Sequence, residues 1–157
     1  MTAPFRLGLI GGGRMGRTHL RALEGSAQVT VVAVAEPFEA AAAQLREQGL
    51  AVYPTAEAMF GGAQLDGVLI GTNCLYHTPY AVKVMATGLP LFLEKPVAID
   101  EEQLATLHAA SLTTTSKTVV SFPLRVSKLC MTAKEILDTG VIGTVENIQM
   151  TNNVPFY

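Results

Sequence analysis

The chain has 157 residues, which is room for one ordinary domain and little more. Its composition, 49% hydrophobic and 15% charged with a formal net charge of −2, is typical of a globular protein in water. Its basic residues are dispersed, so no patch predicts nucleic-acid binding, and no apolar run reaches the roughly 18 residues that a membrane span needs. Cys74 and Cys130 are too few for a disulfide framework, so we expect a cytoplasmic protein in which both cysteines pack in the interior.

Apolar runs alternate with helical patterns along the first 122 residues. Predicted strands and helices follow one another in the order strand 5–10, helix 14–24, strand 29–35, helix 37–48, strand 51–53, helix 55–62, strand 67–72, helix 78–87, strand 89–94, helix 100–111 and strand 117–122. The run 29–35 is almost wholly β-branched and apolar, which indicates a strand covered on both faces. The alternation therefore predicts an α/β fold with a parallel sheet and helices on both of its faces.

The pattern changes after residue 122. Residues 126–139 predict an amphipathic helix, and residues 144–150 alternate weakly, as a half-exposed strand would. One strand cannot make a sheet, so we interpret residues 123–157 as the first helix and strand of a truncated second α+β domain. Residues 1–122 form the first domain in this interpretation.

A glycine-rich loop joins the first predicted strand to the first predicted helix. It contains Gly11-x-Gly13-x-x-Gly16. The first glycine permits a tight turn, the second lets the backbone approach a pyrophosphate, and the third lets the helix pack close to the strand. The helix N-terminus then faces the phosphates. In this context the loop predicts a dinucleotide-binding domain with a Rossmann-type doubly wound sheet.

Glu36 directly follows the second strand, where such domains place an acid for the adenosine ribose. A carboxylate there accepts hydrogen bonds from a diol and repels a 2′-phosphate, so NAD is favoured over NADP. Arg14 lies within the loop and complicates that preference, because it can reach a phosphate. The alternative is that Glu36 caps the helix that begins near Pro37.

Polar residues also follow the fourth and fifth predicted strands. Thr72 and Asn73 end one of them, and Glu94-Lys95-Pro96 ends the other. Ligands of open parallel sheets bind beyond the carboxyl ends of the strands, so chemistry is expected at these positions. The segments "GGGRMGRTHL", "VAVAEP" and "VLIGTNCLYHTPYAVKVMATGLPLFLEKPVAID" resemble the glucose–fructose oxidoreductase, inositol dehydrogenase and MocA-like oxidoreductase family. The likeness continues through "SFPLRVSKLCMTAKEILDTGVIGTVENIQ" and covers nearly the whole chain.

The resemblance implies roles for individual residues. Lys95 is similar to the family lysine that lies beside the nicotinamide and moves the proton of the reacting oxygen, so it is the predicted catalytic residue. Glu94 would help to place the ribose and the lysine, and Pro96 often follows a cis peptide bond in relatives. The family usually has proline where Asn73 stands, so this loop is expected to follow a different path. Loop and resemblance together predict the cofactor-binding residues Gly11, Gly13, Arg14, Met15, Gly16, Glu36, Thr72, Asn73, His77, Glu94, Lys95 and Arg125.

The resemblance also implies an activity. The chain would be the NAD(P)-binding portion of an oxidoreductase that transfers hydride between a nicotinamide cofactor and a sugar, polyol or related cyclic alcohol. Relatives are longer, form homo-oligomers and carry their substrate pocket in the second domain, so we expect this chain alone to lack full activity. The alternative is a non-catalytic dinucleotide-binding or regulatory module, or a fragment that pairs with another chain. No cluster predicts a metal, and His19 and His108 are expected to be solvated or packing residues.

Overall fold

The structure is a computed structural model that describes residues 3–151, and it consists of two compact units. One unit ends at Ser121, the other begins at Phe122, and each is described by itself. In the first, strands and helices alternate as β1 Phe5–Ile10, α1 Arg14–Leu23, β2 Val29–Ala35, α2 Glu39–Glu47, β3 Ala51–Tyr53, α3 Ala56–Gly62, β4 Gly67–Ile70, α4 His77–Thr87, β5 Leu91–Leu93, α5 Glu101–Thr113 and β6 Thr118–Val120. Among residues 3–151, none of the helices has the length and apolar character needed to cross a membrane.

The strands form one parallel sheet with the order β3-β2-β1-β4-β5-β6. The chain runs outward from β1 to β3 and then returns to the other side of β1 with β4. This confirms the predicted doubly wound sheet, and it puts the topological switch point between β1 and β4. At such a point the connections leave in opposite directions, so a crevice opens beyond the carboxyl ends of the two strands.

Apolar side chains fill both faces of the sheet. On one face Leu45 of α2 packs with Leu9 and Val34 of the strands, and the half-buried α1 residues Leu20 and Leu23 join them. The other face carries a larger cluster, to which α3, α4 and α5 contribute Met59, Val84 and Leu107. The burial of apolar surface on both faces explains why the strand sequences are almost continuously hydrophobic.

The pairing of β1 with β2 contains an irregularity. Leu7 lies opposite Val31, but the next residue, Gly8, lies opposite Ala33, so Val32 is an extra residue in β2. Val32 and Ala33 accordingly both pack against the same apolar cluster. This is a β-bulge, and it lies four residues before Glu36, which follows the end of the strand.

Most helices begin and end where the sequence predicts. Thr55 and Asp100 cap α3 and α5 by accepting hydrogen bonds from the backbone N–H groups of Ala58 and Gln103, at 3.1 and 2.7 Å. Gly88 ends α4 with a φ of 74°, a conformation that favours glycine. The helix predicted from residue 37 begins only at Glu39, because Phe38 has an extended backbone with a ψ of 111° and is the N-cap.

The second unit contains a short 3-10 turn, Pro123–Val126, and a helix α6, Lys128–Asp138, which Ser127 caps. The predicted helix is therefore present. Residues 144–150 do not form the predicted strand, and the described part of this unit, residues 122–151, contains no other strand. A strand needs a neighbouring strand to receive its backbone hydrogen bonds, and the alternating sequence pattern does not show whether one is present.

Candidate functional site

Four adjacent strands bring the predicted residues to one edge of the sheet. The strands β2, β1, β4 and β5 are neighbours and parallel, so their carboxyl ends lie side by side. Beyond these ends lie the glycine loop after β1, Glu36 after β2, Thr72 after β4 and Glu94-Lys95 after β5. The acid after the second strand and the lysine after the fifth are therefore on the same edge, as a single dinucleotide site requires.

The three glycines of the Gly11-x-Gly13-x-x-Gly16 loop are constrained in different ways. Gly11 has a φ of 94°, which an L side chain rarely adopts. A Cβ on Gly16 would lie 1.9 Å from the carbonyl oxygen of Gly11, so the start of α1 packs directly on the loop. A Cβ on Gly13 would meet nothing within 4 Å. The fold itself therefore requires the first and third glycines, whereas the second faces open space at the loop.

The start of α1 is suited to a phosphate. Gly13 is its N-cap, with no side chain to accept a hydrogen bond from the first N–H groups, and the first turn carries no acidic residue. Arg14, the first helical residue, is exposed, and Met15 after it is half-buried. Unsatisfied N–H groups and the positive end of the helix dipole favour an anion here. The loop therefore fits the pyrophosphate of a dinucleotide.

Glu36 links the glycine loop to α2. It is only 6% exposed, and its Oε2 accepts the N–H of Gly12 at 2.8 Å while its Oε1 accepts the N–H of Phe38 at 2.9 Å. The sequence left a helix-capping role open, but α2 has Phe38 as its N-cap and no side-chain capping hydrogen bond, so Glu36 binds the residue before the helix and not its first turn. An ionised carboxylate has about four acceptor positions, so two backbone contacts leave room for a ribose diol.

The loop after β4 is fixed by its own polar groups. Asn73 accepts the N–H of Leu75 at 3.1 Å and so caps the 3-10 turn Cys74–Tyr76, a contact that the proline usual in the family could not make. His77 is 1% exposed, and its Nδ1 lies 2.6 Å from the carbonyl oxygen of Pro96. His77 therefore connects the loop after β4 to the loop after β5 by a hydrogen bond. Cys74 is exposed, against the expectation of a packing residue.

The triplet after β5 combines a buried acid with an exposed base. Glu94 is 7% exposed, whereas Lys95 lies at the surface, and the peptide bond between Lys95 and Pro96 is cis. The change from buried to exposed occurs within two residues because the strand ends at Leu93. The lysine ammonium thus extends from the edge where the crevice lies.

His19 is a residue whose contact the sequence did not reveal. It was expected to be solvated or packing, but its Nε2 lies 2.9 Å from Oε1 of Glu94, and its ring meets Phe92 edge-on at 5.8 Å between centroids. The available signal was its position three residues after Gly16, on the side of α1 that faces the sheet. Arg125 lies in the second unit, where it is exposed in the 3-10 turn, and its predicted role in binding is untested.

The fold, the switch point and the glycine loop together define a dinucleotide-binding domain. Comparison with known proteins identifies the family. Residues 5–122 match the model of an oxidoreductase family with an NAD-binding Rossmann fold. The chain therefore belongs to the glucose–fructose oxidoreductase, inositol dehydrogenase and MocA-like family.

Individual relatives agree with this membership. The inositol 2-dehydrogenase of Rhizobium meliloti strain 1021 is 32% identical over 150 residues, which are 96% of this chain and 46% of that protein. The rhizopine catabolism protein MocA of Rhizobium meliloti is 41% identical over 99 residues, 63% of this chain and 31% of the relative. The crystal structure of myo-inositol 2-dehydrogenase from Lactobacillus plantarum superposes with a TM-score of 0.83 at 25% identity, covering 90% of this chain and 43% of the other. The chain thus spans less than half the length of these relatives.

Proposed function

We propose that this chain binds NAD(H) along the carboxyl edge of its sheet and serves a larger oxidoreductase in hydride transfer to or from a polyol. The single observation that supports this most strongly is the convergence of the glycine loop, Glu36 and Lys95 on that edge. Two of the similar proteins are named for the oxidation of inositol, so a cyclic polyol is the proposed substrate class.

In the proposed complex the glycine loop and the first turn of α1 bind the pyrophosphate, with Gly13 allowing close approach. Glu36 accepts hydrogen bonds from the adenosine ribose diol. Its buried carboxylate would have to desolvate further beside a 2′-phosphate, and like charges repel strongly where water is excluded. NAD is therefore preferred to NADP.

Lys95 is the proposed catalytic residue. The bound nicotinamide supplies the hydride acceptor. In the direction of oxidation, the neutral amine of Lys95 would accept the proton of the substrate hydroxyl while the hydride passes from the carbinol carbon to the cofactor. The resulting ammonium group would hydrogen-bond to the carbonyl oxygen, and in the reverse direction it would return the proton to that oxygen. In the described residues Lys95 is solvent-exposed, so a water-excluding pocket around the reacting atoms is lacking there. We therefore propose that this chain alone binds cofactor but turns substrate over slowly or not at all.

Titration of the chain with NADH and with NADPH, followed by nicotinamide fluorescence, tests the binding proposal. We expect saturable NADH binding and at least tenfold weaker NADPH binding, a difference of about 1.4 kcal/mol. Equal affinity for the two would contradict the role of Glu36, and no binding of either would contradict the proposal as a whole. A parallel assay of NADH formation from myo-inositol tests turnover, and rapid turnover by the chain alone would overturn the inactivity.

The alternative is a binding module without catalysis, and Lys95 distinguishes it. If Lys95 is catalytic, we expect Lys95→Met to abolish turnover in the larger oxidoreductase proposed above while NADH binding changes little. Full activity of that oxidoreductase with Lys95→Met would show that the lysine has no catalytic role.

A further inference from the structure

The carboxylate of Glu94 has two unequal oxygens. Its Oε1 lies 2.9 Å from Nε2 of His19. Its Oε2 has no hydrogen-bond partner among residues 3–151, yet it is not one of the fully buried unpartnered atoms in that part of the chain. The second oxygen therefore keeps some contact with solvent, and because Glu94 directly follows β5 at the carboxyl edge, a ligand bound at that edge could use it.

His19 is the group that hydrogen-bonds to the buried carboxylate. An ionised carboxylate only accepts hydrogen bonds, so Nε2 of His19 carries a hydrogen and donates a hydrogen bond to Oε1. Arg17 on the same helix cannot substitute, because its guanidinium donates to the carbonyl oxygen of Gly12 at 3.1 Å and to Oε1 of Gln44 at 2.6 Å. A carboxylate that is 7% exposed and has lost its donor becomes free to rotate toward water.

We propose that His19 is a positioning residue, which holds one oxygen of Glu94 so that the other stays directed at the bound dinucleotide. The edge-on contact with Phe92 fixes the plane of the imidazole ring, so the Nε2 donor points in one direction. This inference rests on the proposed function, since it assigns the free oxygen to a hydroxyl of the ribose next to the nicotinamide.

The position of His19 on α1 connects two parts of the site. The first turn of α1 is the element that fits the pyrophosphate, and His19 lies in the second turn of the same helix. The helix α1 would thus contact the phosphate through its first turn and contacts Glu94 through His19. Placement of the pyrophosphate and orientation of Glu94 are coupled through this helix.

A double-mutant cycle in NADH binding tests the proposal on the 157-residue chain. We expect His19→Ala to weaken NADH binding about three- to tenfold, and Glu94→Ala, which removes both carboxylate oxygens, to weaken it at least as much. The double variant is expected to bind no more weakly than Glu94→Ala alone, because His19 acts on the dinucleotide only through the Glu94 side chain. His19→Gln should recover most of the affinity, since its side-chain amide can donate to the same oxygen.

Two controls separate positioning from stability. His108, exposed on α5, provides a matched histidine whose replacement by alanine should leave NADH affinity unchanged. The imidazole nitrogen spectrum of wild type should show a protonated Nε2 for His19, and Glu94→Gln should shift that signal. Unfolding midpoints identify the temperature at which all variants are folded, and the titrations are made there.

The outcomes are distinct. If wild type binds NADH and folded His19→Ala binds it within twofold of wild type, the positioning role is wrong and the proposed function survives. Strictly additive effects of His19→Ala and Glu94→Ala would also overturn the role. If wild type does not bind NADH, the proposed function and this inference are both wrong.

Discussion

Charged residues at the two edges of the sheet differ in their burial and in their hydrogen-bond partners. At the amino edge, Arg6 of β1 and Asp66 before β4 pair with each other at 2.8 Å, and Gln64 accepts a further hydrogen bond from the guanidinium. Both members of this ion pair are substantially exposed. At the carboxyl edge, Glu36 and Glu94 are 6% and 7% exposed, and neither forms an ion pair with a lysine or arginine in residues 3–151.

This difference in burial and pairing indicates which edge is suited to bind a ligand. An exposed ion pair forms at little cost and contributes little. Burying a carboxylate without a cation is expensive, so it persists where backbone N–H groups, an imidazole or a ligand stabilise the charge. Acids of this second kind at strand ends are candidates for binding, and those of the first kind are not. Variants at the two edges should accordingly separate binding from stability.

The largest effect is expected from Gly16→Ala at the carboxyl edge. The added Cβ would lie 1.9 Å from a backbone oxygen of Gly11, so no side-chain movement can relieve the clash. We expect the free energy of unfolding to fall by about 3 kcal/mol, the upper part of the range for overpacking, and NADH binding to be lost. Urea denaturation measures the first effect, and an unchanged midpoint would show that α1 is not packed against the loop.

Glu36→Ala should affect both binding and stability. We expect NADH binding to weaken by about 1–3 kcal/mol through loss of charged hydrogen bonds, and stability to fall by about 1–3 kcal/mol because the N–H groups of Gly12 and Phe38 lose their acceptor. Fluorescence titration and denaturation measure the two losses. In the control Glu36→Gln one acceptor oxygen remains, so the stability loss should be smaller. NADH affinity unaffected by Glu36→Ala would remove the ribose role.

Gly13→Ala should separate binding from folding within the loop. Its Cβ would meet nothing within 4 Å of the free protein, and its φ of −73° suits alanine, so stability should change by less than about 1 kcal/mol. The methyl group would occupy the approach to the pyrophosphate, and we expect NADH affinity to fall about tenfold, or about 1.4 kcal/mol. Wild-type affinity would place the phosphates elsewhere.

The smallest effect is expected at the amino edge, from Asp66→Asn. The hydrogen bond from the Arg6 side chain lowers the pKa of Asp66 to about 2, so its contribution to stability is present above the unfolded pKa of about 3.9 and disappears as pH falls through 2. The variant should be slightly less stable than wild type at pH 7 and equal to it below pH 2, with unchanged NADH binding at pH 7. A change in NADH affinity would mean that the two edges are not independent.

Local patterns predicted much of the fold. The β-branched run 29–35 is a strand with those bounds, and the glycine spacing predicted the loop whose packing the structure shows. The late start of α2 follows from the extended backbone of Phe38, and residue types alone leave that conformation open. The contact of His19 with Glu94 joins residues 75 apart in sequence, so it depends on the packing of α1 against β5.

The exposure of Cys74 and the irregular backbone of residues 144–150 were missed for a related reason. A small apolar side chain is compatible with a buried or an exposed position, and an alternating segment is a strand only if another strand is beside it. In both cases the outcome depends on which residues lie nearby in the fold, and the local sequence pattern does not contain that information.

The β-bulge in β2 determines which face of the sheet each later residue of the strand occupies. Side chains of a regular strand alternate between faces, but Val32 and Ala33 face the same side, so the faces of all later residues are reversed. Ala35 therefore faces the cluster formed with α3, α4 and α5, and Glu36 turns to the opposite side, where Gly12 donates to it. In a regular strand of the same sequence, without the bulge, the side chain of Glu36 would face away from the glycine loop.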